Sequence, residues 1–85
     1  MQAEVIEMGM LWFDNNPQSD FLSKVKKAAA YYQKKYGQTP NLCFVHPSMM
    51  PDKVLMAGKV TVCVNNSMLL HHFWIGVQQQ NSPVP

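Results

Sequence analysis

The sequence predicts a small α/β domain: a sheet of about four strands in the order β-α-β-(short helix or loop)-β-β, with one long helix packed across one face. Three observations carry this. One 16-to-20-residue stretch repeats its apolar residues at helical spacing. Short apolar, β-branched and aromatic runs stand on both sides of it. Turn formers rich in Asn, Pro, Gly and Ser separate these segments. The chain has 85 residues, enough for one core and not for two. Residues 1–77 therefore read as one domain and 78–85 as a polar, proline-bearing tail that stays disordered.

Residues 4–13, EVIEMGMLWF, read as a first, largely buried strand ending at the turn cluster DNNP. Asn16–Pro17 and Ser19–Asp20 are two possible helix starts, each pairing a capping side chain with a residue suited to the first turn. In the helix, Phe21, Leu22, Val25, Ala28, Ala29, Tyr32 and Tyr36 fall on one stripe, with Lys24, Lys26, Lys27, Lys34 and Lys35 around it. Gly37 suits the residue after the helix and Pro40 prevents its continuation. The helix is thus expected from about 17–20 to 36. LCFV, 42–45, follows as a short strand, and a strand–helix–strand unit of this length favours parallel pairing of 5–13 with 42–45. Residues 48–57 fit a short helical turn opened by Ser48 and ended by Gly58, or a loop. VTVCVNN, 60–66, and HHFWIGV, 71–77, complete the strands.

Composition bounds the function. Hydrophobic residues make up 47% and charged residues 14%, with nine aromatics and seven methionines. That is a heavy apolar load for so small an interior. Self-association, or a protein partner, is the expected way to cover the surplus. Met49, Met50, Met56 and Met68 lie in or beside loops, where flexible thioethers suit an adaptable interface. The formal charge is +2 and all seven basic side chains are lysine. Without arginine, forked recognition of phosphate or guanine is disfavoured. The first residues lack a basic segment followed by an apolar one, and no apolar run is long enough to span a bilayer. A cytoplasmic protein without a membrane partner is expected.

Three candidate sites emerge. Asp14 and His46 each end a strand; if those strands are parallel neighbours, both reach one rim beside the helix amino terminus, with Asn16 and Ser48 close by. The same residues serve equally as turn and capping groups. Ser48 has no nucleophile elbow around it, so this rim suits ligand binding better than catalysis. A second candidate is Lys24, Lys27, Tyr31, Lys34 and Lys35, an aromatic set among cations that suits nucleic acid, or else an ordinary solvated helix face. Third, His71 and His72 suggest a metal. Adjacent strand residues point to opposite faces, however, and no carboxylate or cysteine is suitably spaced, so neither metal nor cofactor is expected. Cys43 and Cys63, each within an apolar run and outside any CxxC, read as buried, reduced thiols.

LWFDNNP (11–17), AAAYYQKKYGQTPNLCFVHPSM (28–49) and HHFWIGV (71–77) together resemble a family of short bacterial proteins of unknown function. The resemblance covers most of the chain and implies no activity, cofactor or catalytic residue. The expected role is a small binding or assembly module, with nucleic-acid binding through the lysine face as the alternative. A ligand-binding or catalytic subunit using Asp14 and His46 is the third reading.

Overall fold

The computed structural model describes residues 6–78. Strand β1 (Ile6–Phe13) leads through the Asp14–Asp20 turns into helix α1 (Phe21–Tyr36). Strand β2 (Leu42–Val45), a single 3-10 turn (Pro47–Met49), β3 (Val54–Ala57), β4 (Val60–Val64) and β5 (His72–Gln78) follow. The fold is α/β as expected, with five strands in a mixed sheet. Of the tail expected to be disordered, 78–85, Gln78 is the last residue of β5, and 79–85 lie outside the described residues.

The helix begins at Phe21 because Asp20 caps it: its carboxylate accepts the Ser23 N–H at 2.7 Å. Pro17 lies in the preceding turn instead of opening the helix. At the other end Gly37 takes φ 75°, the left-handed geometry that an αL cap needs, and its N–H bonds the Gln33 carbonyl. Val25, Ala28 and Tyr32 are buried against the sheet, whereas Leu22, placed on the core stripe from sequence, is exposed.

The sheet order is β1-β5-β2-β4-β3, which corrects two expectations. First, β1 and β2 are not neighbours. The last strand, β5, lies between them, antiparallel to both, so β1 and β2 run the same way without pairing. The parallel pair is β2 with β4. Second, residues 54–57 form neither helix nor loop. VLMA is an edge strand turning back on β4, and Gly58, at φ 62°, makes the hairpin turn instead of ending a helix. A four-residue apolar run fits either period, so its partner strand decides.

Side-chain alternation gives the sheet two faces. Met10, Cys43, Val45, Ala57, Val60, Val62, Phe73 and Ile75 pack with Val25, Ala28 and Tyr32 of the helix. Tyr32, almost fully buried, donates its hydroxyl to the Met8 carbonyl at 2.6 Å, tying the helix to edge strand β1. The opposite face has a small cluster of Ile6, Leu42 and Cys63, flanked by Phe44 and Trp74. No helix covers it.

Candidate functional site

Because β1, β2 and β4 run one way, their carboxyl ends share a rim with the starts of β3 and β5. Asp14 and His46 both stand on this rim, as the sequence suggested. They are two strand spacings apart, about 10 Å, with β5 between. Each has a local task. The Asp14 carboxylate accepts the Asn16 N–H at 3.0 Å and the Asn16 side chain accepts the Gln18 N–H at 2.9 Å, two successive Asx turns leading to the helix. His46 caps the 3-10 turn: Nδ1 accepts the Ser48 N–H at 3.0 Å and lies 2.8 Å from the Ser48 hydroxyl. An Nδ1 that accepts leaves Nε2 to carry the proton in the neutral ring.

Between these two sits the start of β5. His71 adopts φ 65°, rare for a residue with a side chain, and its carbonyl accepts the Asp14 N–H while its own N–H points to the Met49 sulfur. His71 lines a shallow cleft of about 230 Å³ with Phe21, Lys24, Ser48, Met49 and Leu70. His72 turns to the uncovered face, its ring 4.9 Å from that of Phe13 and Nδ1 2.9 Å from the Leu70 carbonyl. The two histidines therefore diverge. Among the described residues no three His, Cys, Asp or Glu side chains come together as a metal site.

Lys24, Lys27, Tyr31, Lys34 and Lys35 occupy one flank of α1, beyond its buried stripe. No acidic residue interrupts the helix. Tyr31 is half exposed and its ring tilts onto Trp12 at 5.0 Å, beside a hollow it shares with Lys34 and Lys35. The indole Nε1 of Trp12 is buried and meets no acceptor among the described residues. Of the loop methionines, Met50 is buried in the core and Met49 packs against it. Met56 stands on strand β3 and is exposed. Cys43 is buried, and burial pushes its thiol up to about 12. Cys63 is buried on the other face.

A further surface feature among the described residues is one that no single sequence motif marks. On the uncovered face, Leu11, Trp74, Phe44, Cys63 and Val54 stand in one row straight across the five strands. Gly9, Gly76, Leu42, Thr61 and Met56 form the next row, and Phe13 with His72 stands above. Leu11, Phe13, Val54 and Met56 are each more than half exposed. These rows contain no charged carboxylate or lysine. The signal was present in sequence: the strands are apolar at both odd and even positions, and one helix covers one face.

Among the described residues no helix is long and apolar enough to cross a membrane. No protein-family model, curated protein or solved structure matches the chain.

Proposed function

We propose that the chain is a small assembly module that associates with itself. One observation supports the reading: an apolar sheet face, crossed by all five strands, that no helix among the described residues covers. A sheet apolar on both faces is stable when both are covered. The methionine loops contribute less to this surface than their sequence positions suggested, since Met50 belongs to the core. Light scattering over a dilution series tests the proposal. A mass of at least twice the 9.7 kDa chain at micromolar concentration is expected; a mass equal to one chain throughout refutes it.

A second reading has its own support. The lysine flank of α1, with half-exposed Tyr31 among the cations and no acid along the helix, fits a single-stranded polyanion that stacks a base on the ring. This flank and the apolar face are on opposite sides of the sheet, so the two readings are compatible.

A further inference from the structure

We infer that the uncovered face is closed by a second copy in one particular arrangement: a two-fold sandwich in which β1 of each protomer lies across β3 of its partner. The inference rests on the self-association proposed above and adds the surface, the symmetry and the register.

Area comes first. A large apolar side chain contributes about 150–200 Å² when wholly buried, so four that are more than half exposed leave roughly 400 Å². The partly exposed Phe44, Trp74, His72 and Thr61 bring the face to about 500–600 Å², the upper end of what a monomer ordinarily shows. Two such faces together remove about 1,000–1,200 Å², enough for a specific interface.

Symmetry comes next. A closed face-to-face pair has its two-fold axis in the plane between the sheets. An axis across the strands sets β1 on β1 and β3 on β3; an axis along the strands sets β1 on β3, twice. Charge at the two margins selects the second. The β1 margin carries an acid and no lysine: Asp14 follows the strand, and the first lysine of the chain is Lys24. The β3 margin carries Lys53 before the strand and Lys59 in its hairpin turn, with Asp52 the single acid there. Placing β1 on β1 and β3 on β3 reverses height and opposes Lys53 to Lys59, twice. Placing β1 on β3 brings Asp14 to the Lys53 end, opposite in charge, and keeps the two lysine margins apart.

Register follows from the same axis, because it preserves height along the strands. Leu11 and Val54 belong to one row, so Leu11 of each copy faces Val54 of the other. The helices then lie outermost, in four layers. The competing arrangement, β1 of one copy edge to edge with β3 of the next, does not close and grows into a filament with the apolar face still bare. The irregular register between Ile6 and Met8 disfavours it by breaking the outer edge of β1.

The test uses the full chain with Leu11→Lys and Val54→Glu, both at exposed positions and each checked for folding by circular dichroism. Each variant alone is expected to be monomeric, with a Kd raised at least 100-fold over wild type. An equimolar mixture is expected to restore a one-to-one dimer, because one lysine then faces one glutamate while the other Leu11–Val54 pair is wild type. Either variant remaining dimeric, or a mixture that stays monomeric, overturns the arrangement while leaving self-association standing. A monomeric wild type, as when the chain's own ends cover the face, overturns both. Should a variant fail to fold, isotope-filtered NMR on wild type mixed from labelled and unlabelled copies decides. Intermolecular contacts between Leu11 and Val54 methyls support the sandwich; Leu11–Leu11 contacts, or none, overturn it.

Discussion

Replacing Gly76 with alanine is expected to cost the fold about 3 kcal/mol, the upper part of the range for overpacking a well-packed site. Gly76 lies in β5 and pairs with Gly9 on one side and Leu42 on the other. A Cβ there would land on the Met8 carbonyl oxygen and 2.5 Å from the Ile6 Cγ2. The methyl group of Ile6 can turn away; the carbonyl cannot, because the Tyr32 hydroxyl holds it at 2.6 Å. The β1–β5 ribbon must therefore open locally. At about 4–8 °C per kcal/mol for a domain of this size, the melting temperature should fall by roughly 12–24 °C. Gly9→Ala is the control. Its Cβ meets the Trp74 ring at 2.5 Å, a side chain on the uncovered face that can tilt, so a cost of about 1–2 kcal/mol is expected. Tyr32→Phe should itself cost about 1 kcal/mol and, by freeing the carbonyl, reduce the penalty of Gly76→Ala in the double variant. Urea and thermal unfolding at one protein concentration measure wild type and all four variants. A Gly76→Ala melting point within 3 °C of wild type, or strict additivity with Tyr32→Phe, refutes the pinned-carbonyl account.

Three further outcomes are expected. The Ser23 N–H bond holds the Asp20 carboxyl below its ordinary 3.8, so its contribution is complete above that pH and disappears as pH falls through the lower folded value. Asp20→Asn keeps an accepting oxygen without the titration, so any stability advantage of wild type over it should shrink on acidification past 3.8, as followed by unfolding at each pH. Cys43, with its thiol pushed up to about 12, should resist iodoacetamide at neutral pH until the protein unfolds; fast labelling of Cys43 in native protein, located by mass spectrometry, would contradict its burial. Replacing Lys24, Lys27, Lys34 and Lys35 with glutamine should abolish any binding of single-stranded DNA or RNA and flatten its salt dependence without changing the melting temperature by more than a few degrees. Absence of binding by wild type at about 50 mM salt retires the polyanion reading.

Local pattern made the helix legible, because Val25, Ala28 and Tyr32 repeat at a spacing that only a helix places on one side. Its start was harder. Pro17 and Asp20 are both suitable, and the choice rests on a hydrogen bond to Ser23 that composition does not specify. Strand β3 escaped because VLMA beside a glycine satisfies the end of a helix as well as a hairpin. The place of β5 was invisible for a different reason: pairing between residues some 60 positions apart leaves no local periodicity. Gly9 opposite Gly76 was the nearest clue, two strand glycines whose missing side chains let Trp74 and Ile6 lie across the ribbon. At the rim, Asp14 and His46 were correctly placed at strand ends, but the intervening strand keeps them apart and each is engaged by its own turn.

The position of β5 also sets the order in which the chain can fold. As synthesis proceeds from the amino end, β1, α1 and β2 emerge first, yet β1 and β2 share no hydrogen bonds and wait for a strand that follows all the others. Until residues 72–78 arrive, β1 has no partner strand among the described residues and β2 has β4 alone. The nascent molecule thus presents open, apolar strand edges until residues 72–78 emerge, and closes them in the step that spans the longest loop in the sheet, a slow kind of step.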